Sequence, residues 1–306
     1  MTSALLCRGC LGLYFEGPSV YFPPMGASMI LVTGATGSIG RHLVRLLRQQ
    51  QAPFRAMVRD AARAEDLGCD VVVADYDDPD SVAAALHGVD RLFLNGGGAI
   101  PVDGPQPMVR QQIAAIDAAV EAGVQSIVKV SVWGAKPGGK LAEGAHWEIE
   151  QHLTTAPIGW FLLQPSGFMQ NFRTGAGAFT DNGDLIGLAG DWRVSYIDCH
   201  DIAACAAALL TGPARPNGTY ILTGPEALTH AQIAAKLSVG LLELTPAEMT
   251  ARLTSLGLPG HFAADVVGLW SEVAEGSLAA VTSTVRDLTG QPPRTFDEFL
   301  IASARP

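Results

Sequence analysis

Three side chains in the middle of the chain combine residue types that can deliver a proton to a carbonyl group. His146 and Glu150 open and close the stretch HWEIE, and Ser131 lies in the stretch VKVSVWGA. Residues four positions apart share one face of a helix, so Glu150 could orient His146 and raise its pKa. Because an imidazole titrates near neutral pH, His146 is a candidate proton donor.

Other interpretations of this stretch remain open. Water or a hydroxyl group of the substrate could supply the proton, which would leave the protein to position the reactants. Alternatively, no reaction occurs, the protein only binds a ligand, and His146 is an ordinary helix residue. We expect no metal site from His146, Glu150 and His152, because residue 152 lies on a different helix face from residue 146.

A glycine pattern near the start of the chain predicts a phosphate-binding loop. Gly34, Gly37 and Gly40 are spaced G-x-x-G-x-x-G in LVTGATGSIGRHLV, directly after a strand-like run and into a helix-like one. Gly34 permits a tight turn, Gly37 lets a pyrophosphate approach the helix N-terminus, and Gly40 lets helix and strand pack closely. The loop residues expected to contact the dinucleotide also include Thr36, Ser38 and Ile39.

The residues after the second and third predicted strands bear on which dinucleotide binds. The stretch FRAMVRD places Arg59 where many dinucleotide folds carry an acid for the ribose 2′-hydroxyl group. A guanidinium suits the 2′-phosphate of NADP(H), although the neighbouring Asp60 could accept the hydroxyl groups of NAD(H). Asp75 and Tyr76 follow the third strand, near the expected adenine site, and Asp75 could instead cap a helix.

Strand-like and helix-like stretches alternate from Met29 to Gln164, which predicts a parallel sheet covered on both faces. We therefore predict the α/β class and a Rossmann-type doubly wound sheet. The predicted strands are 30–33, 54–59, 71–74, 91–95, 126–132 and 160–164. The predicted helices are 38–50, a helix with Asp78 as N-cap and Pro79 as first residue, 107–122 and 143–153.

The pattern changes after Pro165. Residues 171–192 are rich in glycine and predict a loop, residues 193–210 predict a strand that runs into a helix, and residues 218–224 predict a short strand. From Leu228 onward the pattern predicts helices only. We expect a dinucleotide-binding domain at 29–170, with 193–224 returning to it, and a smaller, mostly helical substrate lobe formed by 171–192 and 225–306. Residues 1–28 are expected to be an N-terminal extension.

Composition excludes several classes of partner. The net charge is −10, from 30 acidic and 20 basic residues, and no basic cluster is visible, which disfavours nucleic-acid binding. No apolar run reaches the roughly 20 residues that a membrane-spanning helix needs. The five cysteines are odd in number and scattered, so we expect a reducing, cytoplasmic environment rather than a disulfide framework.

The glycine loop and a series of later motifs resemble the NmrA-like group of atypical short-chain dehydrogenases/reductases. The matching stretches run from about Met29 to Leu300 and are VTGATGSIGRHLV, AMVRD, ADYDDPDSVAAAL, VKVSVWGA, LLQPSGFMQNF, SYIDCHDIA, LTGPEALTHAQIA and VTSTVRDLTGQPPRTFDEFL. The resemblance implies that Asp198 and Asp201 organise the junction with the lobe. It also implies that the following residues line the cofactor: Asn95, Gly96, Gly97, Val130, Pro165, Ser166 and Phe168.

Standard members of this superfamily use Ser, Tyr and Lys, with the last two spaced Tyr-x-x-x-Lys. The resemblance places His146 and Glu150 at those two positions and Ser131 at the Ser position, where it would steady the carbonyl oxygen. It implies an NADPH-dependent reductase that transfers hydride to a carbonyl group. We expect the substrate to be a ketone of an aromatic, polyketide-like metabolite from an antibiotic pathway. The alternatives are a quinone reductase and a non-catalytic NADP-binding sensor. We expect the protein to be a monomer or a homodimer. Some of the aromatic and sulfur-containing side chains of the lobe are expected to line the substrate pocket. The candidates are Phe168, Met169, Phe172, Phe179, Trp192, Phe262 and Trp270.

Overall fold

The computed structural model describes residues 28–174, 178–213 and 215–303. All but the last residue of the predicted N-terminal extension lies outside these ranges. The strands are β1 (Ile30–Val32), β2 (Phe54–Val58), β3 (Val71–Val73), β4 (Arg91–Leu94), β5 (Ser126–Val130), β6 (Gly159–Pro165), β7 (Leu185–Leu188), β8 (Gly218–Leu222) and β9 (Leu241–Leu244).

Eleven α-helices and one 3-10 helix, Ala61–Leu67, connect these strands within the described ranges. The α-helices are α1 (Ser38–Gln49), α2 (Pro79–Ala85), α3 (Pro107–Glu121), α4 (Ala142–Thr155), α5 (Asn171–Thr174), α6 (Cys199–Thr211), α7 (His230–Leu237), α8 (Pro246–Ser255), α9 (Gly260–Ala274), α10 (Thr284–Thr289) and α11 (Phe296–Ser303). No helix in the described ranges is both long enough and apolar enough to span a bilayer.

Seven strands form one parallel sheet in the order β3-β2-β1-β4-β5-β6-β8. Because successive side chains of a strand point to opposite faces, Ile30 and Val32 of β1 pack with α1 and α6 while Leu31 packs with α2, α3 and α4. Both faces are therefore buried, as a parallel sheet requires. The predicted Rossmann-type doubly wound fold is confirmed.

Because β1, β4, β5 and β6 are adjacent and parallel, their carboxyl ends lie on the same side of the sheet. The chain reverses direction in strand order between β1 and β4, which leaves a crevice beyond the carboxyl ends of these strands. Residues that follow those strands, such as Gly34, Asn95, Ser131 and Ser166, are thus brought to the same side of the molecule.

A third hydrophobic cluster lies outside the large sheet. Residues within 169–172, 179–196 and 228–300 supply it, and Phe172, Trp192 and Phe296 are among its buried side chains. Two predictions about this region are wrong. Residues 185–188 and 241–244 form a two-stranded parallel sheet, β7 with β9, where a loop and helices were expected. Four-residue, leucine-rich strands are too short to show a periodicity that separates them from helix or loop.

Residues 193–197 do not form the expected strand. Val194 bridges to Leu228 and Ile197 bridges to Phe168, each as an isolated pair. The segment passes between two different partners, so no continuous ladder of hydrogen bonds can develop on either side. The strand predicted at 218–224 is confirmed for Gly218–Leu222 and extends the large sheet beside β6.

Asp198 and Asp201 tie the chain's last helices to the large sheet. The Asp198 carboxylate accepts hydrogen bonds from the His200 amide at 3.0 Å, from Gln170 Nε2 at 2.7 Å and from Arg294 Nη1 at 3.1 Å. Asp201 accepts the Arg294 amide at 2.8 Å. These contacts match the organising role that the resemblance implies for both aspartates.

Candidate functional site

The glycine loop is built for close contact between backbone and ligand. Gly34 has φ +61°, in the left-handed region that favours glycine, and a Cβ there would lie 3.0 Å from Asn95 Nδ2. A Cβ at Gly40 would lie 2.1 Å from the Gly34 carbonyl oxygen, so only glycine lets α1 pack against this turn. Gly37 is the N-cap of α1 and provides no side-chain cap, which leaves the N–H groups of the first turn available to an anion.

A cleft of about 430 Å³ runs along the ends of β1, β2, β3 and β4. Its lining includes nine residues that the sequence analysis assigns to the cofactor: Gly34, Thr36, Gly37, Arg59, Asp75, Tyr76, Asn95, Gly96 and Gly97. A Cβ at Gly97 or Gly98 would meet nothing within 4 Å, so this loop faces open space in the cleft. The cleft therefore has the glycine cradle and the helix N-terminus that a dinucleotide needs, and its residues fit one.

Arg59 faces this cleft, whereas the competing acid is engaged elsewhere. Asp60 is the N-cap of the 3-10 helix, and its carboxylate accepts the Ala62 amide at 3.0 Å. Arg63 is exposed on that helix and does not line the cleft. Among the described residues that line the cleft, Arg59 carries the one guanidinium, and its contact with a 2′-phosphate stays a prediction.

Tyr76 and Asp75 shape the floor of the cleft. The Tyr76 hydroxyl group donates to Thr33 Oγ1 at 2.8 Å and lies 3.1 Å from the Asn95 carbonyl oxygen, and burial raises its pKa well above the usual range. Asp75 Oδ1 accepts the Asp77 amide at 3.1 Å, while Asp78 caps α2, as predicted. The alternative helix-capping role for Asp75 is therefore wrong.

A second cavity of about 440 Å³ continues from Ala99, the residue after the cleft's Gly98. Pro165, Ser166 and Phe168 line it, together with Val132 and Phe262. Four of the proposed cofactor residues line neither cavity: Ser38, Ile39, Gly40 and Val130. The catalytic candidate Ser131 lines neither cavity either. Of these, Ser38, Ile39 and Gly40 form the first turn of α1, where backbone N–H groups rather than side chains would face a phosphate.

Ser131 and His146 belong to a buried polar network between β5, α4 and β6. The Ser131 hydroxyl group donates to Glu150 Oε1, and Gln164 Nε2 donates to the same carboxylate at 2.9 Å and 3.2 Å. His146 Nδ1 lies 2.8 Å from Lys129 Nζ, which also donates to the Val130 carbonyl oxygen at 3.1 Å. Each of these side chains except the partly buried Gln164 is at most 7% exposed.

This network contradicts the expected pairing of His146 with Glu150. Glu150 binds Ser131 and Gln164, and the partner of His146 is Lys129 instead. Burial and the neighbouring Lys129 hold the pKa of His146 far below its usual range, so the expected rise in its pKa is wrong. His146 is the neutral acceptor of a hydrogen bond from Lys129, whose own pKa burial lowers to about 7. The catalytic roles of Ser131 and His146 stay predictions.

Sequence reasoning missed Lys129 and Gln164. The signal for Lys129 is a lone charged residue inside SIVKV, a strand apolar enough to be buried on both faces. A lysine in such a strand needs a polar partner from the helix that covers it. No sequence pattern shows which side chain of α4 supplies that partner.

Comparisons with known proteins identify the family of this chain. Residues 34–213 match the model of the NAD(P)H-binding family. This chain belongs to that family. An NAD(P)H azoreductase of Xenophilus azovorans is 38% identical over 287 residues, which cover 90% of this chain and 98% of that protein. The predicted membership of the NmrA-like group of atypical short-chain dehydrogenases/reductases is confirmed.

Two further relatives support the same assignment. The (4-alkanoyl-5-oxo-2,5-dihydrofuran-3-yl)methyl phosphate reductase of Streptomyces griseus is 32% identical over 280 residues, 89% of this chain and 96% of that protein. The crystal structure of an Escherichia coli NADPH-dependent quinone oxidoreductase complexed with NADPH aligns with a TM-score of 0.77 at 30% identity, covering 90% of this chain and 99% of that one.

These findings confirm the predicted enzyme class and cofactor class. This protein is an NAD(P)H-dependent oxidoreductase, and its cofactor is a nicotinamide dinucleotide. When bound, the dihydronicotinamide supplies a hydride, and the protein supplies binding, orientation and exclusion of water. Within the described residues no group of three or more His, Cys, Asp and Glu side chains is placed to hold a metal ion.

Proposed function

We propose that this protein uses NADPH to reduce quinones and related electron-poor aromatic compounds, including azo compounds. The observation that carries the proposal is the burial of the expected proton donor, His146, and of Ser131, the side chain expected to steady the carbonyl oxygen. Ser131 is 1% exposed and His146 is 7% exposed, and each is hydrogen-bonded inside the β5–α4 network. The positions that carry the acid in standard members of the superfamily therefore present no accessible acid.

The chemistry of the acceptor decides whether that acid is needed. Hydride addition to a simple ketone leaves a localised, strongly basic alkoxide that must be protonated as it forms. Hydride addition to a quinone leaves a delocalised hydroquinone anion, which is far less basic and can take its proton from water afterwards. A protein that positions the ring against the nicotinamide is then sufficient.

The walls of the second cavity suit such a ring. Pro165, Phe168 and Phe262 line it next to the expected nicotinamide loop. The azoreductase and quinone oxidoreductase names of the relatives support the same substrate class. We propose that Arg59 makes NADPH the preferred donor, and that residues 29–170 with 193–224 act as the dinucleotide domain.

The predicted ketone of an aromatic polyketide stays a second candidate. The same aromatic cavity would accept a polycyclic ketone, and a phenol beside the ketone could hydrogen-bond its own carbonyl oxygen. Such a substrate would also dispense with an acid from the protein.

A panel assay separates these candidates. Loss of NADPH absorbance would be followed with 1,4-naphthoquinone, methyl red, simple ketones, and polycyclic ketones with and without a neighbouring phenol. We expect turnover of naphthoquinone and methyl red and none of simple ketones. Turnover confined to phenol-flanked ketones would replace the proposal with the ketone candidate.

A further inference from the structure

The lobe contains a third cavity, of about 440 Å³, that the proposed hydride-transfer site does not explain. Its wall is almost entirely apolar or aromatic and includes Phe172, Ile186, Trp192, Met249 and Trp270. Gly167, Asn171, Leu269, Val273 and Leu278 line both this cavity and the second one. A largely apolar cavity with a few polar groups, next to a cofactor site, has the composition of a ligand pocket.

Tyr196 and His230 are the titratable side chains in this wall. The Tyr196 hydroxyl oxygen lies 3.2 Å from His230 Nε2, and the two residues are 7% and 4% exposed. Aromatic rings hold the imidazole in place, with ring centroids 4.4 Å away for Trp192 and 5.3 Å for Trp270. Burial lowers the pKa of His230 to about 4, so the imidazole is neutral near pH 7.

The surroundings of His230 Nδ1 decide where its single proton lies. That atom is buried and has no hydrogen-bond partner among the described residues. It lies against Gly187, where a Cβ would come within 2.2 Å of it. A buried N–H without an acceptor is rarer in proteins than a buried acceptor without a donor. The favoured tautomer therefore carries its proton on Nε2 and donates it to the Tyr196 oxygen.

This tautomer leaves the Tyr196 O–H proton without an acceptor in the described part of the chain. His230 donates to the phenol oxygen, so the hydroxyl hydrogen must point elsewhere, and Tyr196 lines the cavity. A hydroxyl donor facing an apolar cavity favours a ligand that brings its own acceptor.

The segment that carries Tyr196 is also hydrogen-bonded, through Ile197, to the loop expected to cover the nicotinamide. The Ile197 amide donates to the Gly167 carbonyl oxygen at 2.9 Å, and the Met169 amide donates to the Ile197 carbonyl oxygen at 2.9 Å. A Cβ at Gly167 would lie 2.7 Å from the Tyr196 ring, so glycine at 167 is what lets this ring reach the wall shared by the two cavities.

We infer that this third cavity is the aryl subsite for the ring remote from the nicotinamide, while the reacting ring lies in the second cavity across their shared wall. The Tyr196 hydroxyl group, oriented by His230, donates a hydrogen bond to a ring carbonyl oxygen. The inference deepens the proposed function and rests on it for the substrate class. It names a fused-ring aromatic compound with a carbonyl acceptor, such as a naphthoquinone. Trp192 and Trp270, packed edge to face with their ring centroids 5.5 Å apart, supply the aromatic wall, and the phenol selects the acceptor.

The test compares two fused-ring probes of similar size, one with carbonyl acceptors and one without. Binding of 1,4-naphthoquinone and of naphthalene to the full chain would be titrated calorimetrically with saturating NADP⁺ present, so that no turnover occurs. Tyr196→Phe should weaken naphthoquinone binding about 10-fold and leave naphthalene binding unchanged, because it removes one hydrogen bond and no ring surface. Tyr220→Phe, a tyrosine on β8 that does not line this cavity, is the matched control and should change neither.

A second variant keeps the test decisive. Trp270→Ala removes a ring from the wall and should weaken both probes. Equal weakening of both probes by Tyr196→Phe, or no effect of either variant on naphthoquinone, would overturn the inference. Tight, Tyr196-dependent binding without NADPH-dependent turnover would uphold the subsite and reject the proposed reductase function, so the two failures are distinguishable.

Discussion

Arg59 lies at the end of β2 and faces the cleft, while the adjacent Asp60 carboxylate is used as a helix cap. One side chain thus points to the expected 2′-phosphate and its acidic neighbour does not compete for it. The sequence alone predicts that Arg59 follows the second strand, because the strand and the residues after it are adjacent in the chain. It does not predict that Asp60 is occupied, because that depends on the 3-10 helix that follows.

Arg59→Ala should weaken NADPH binding about 10- to 100-fold, because a charge-assisted hydrogen bond contributes about 1.5–3 kcal/mol. NADH binding should change little, since NADH has no 2′-phosphate. Fluorescence titration of both nucleotides measures the two dissociation constants. Arg63→Ala, which removes an exposed guanidinium outside the cleft, is the matched control, and equal loss of NADPH and NADH affinity in Arg59→Ala would rule out the 2′-phosphate role.

His146 shows what the sequence cannot supply at this scale. The i, i+4 spacing correctly places His146 and Glu150 on the buried face of α4. Their partners come from other elements, Lys129 from β5 and Gln164 from β6, and those contacts exist only once the helix has packed on the sheet. Local spacing therefore predicts the face and not the pairing.

Strand β5 and helix α4 enclose a lysine that is fully buried. Burial disfavours its charged form, and Glu150 only partly offsets this effect. The protonation of Lys129 is therefore linked to folding.

The Lys129 pKa is about 7 in the folded protein and 10.5 for an unperturbed lysine. Between these values the unfolded chain binds more protons at residue 129 than the folded protein does. The free energy of unfolding should therefore rise with pH from about 7 to about 10, by at most ~1.4 kcal/mol per pH unit, and fall as pH is lowered through this window.

Lys129→Met isolates this effect, because methionine has similar length and no charge. Urea denaturation of wild type and variant at pH 7, 8, 9 and 10 should show wild type gaining stability relative to the variant as pH rises. Lys236→Met, at a partly exposed lysine of α7 that pairs with Asp297, gives the baseline for losing a lysine. Parallel stability curves for wild type and Lys129→Met would contradict the linkage.

At the scale of elements, the sequence predicts the large sheet well because its strands are followed by glycines and helix caps. Asp78 and Pro79 begin α2 as expected. The two-stranded sheet of β7 and β9 is missed because LIGL and LLEL are short and far apart in the chain, and only their pairing makes them strands.

The whole molecule depends on the junction between the large sheet and the last helices. The Asp198 side chain is 2% exposed and accepts a hydrogen bond from the partly buried Arg294 guanidinium at 3.1 Å. Removing the cation would leave a buried carboxylate with only its amide donors. The junction therefore holds the C-terminal helices against the sheet that positions the cofactor loop.

Arg294→Ala should lower the free energy of unfolding by about 3 kcal/mol, because it leaves the buried Asp198 carboxylate without its cation. Chemical denaturation monitored by circular dichroism measures the change. Lys236→Ala breaks the more exposed pair with Asp297 and should cost less than about 1 kcal/mol. Similar small losses for both variants would show that Asp198 does not depend on Arg294.

The measurement that tests the account most directly is anaerobic oxidation of NADPH by the purified full chain with 1,4-naphthoquinone. We predict saturable turnover with one NADPH consumed for each hydroquinone formed. Tight NADPH binding without any oxidation, by naphthoquinone or by the other members of the panel, would contradict the account and favour the non-catalytic NADP-binding sensor.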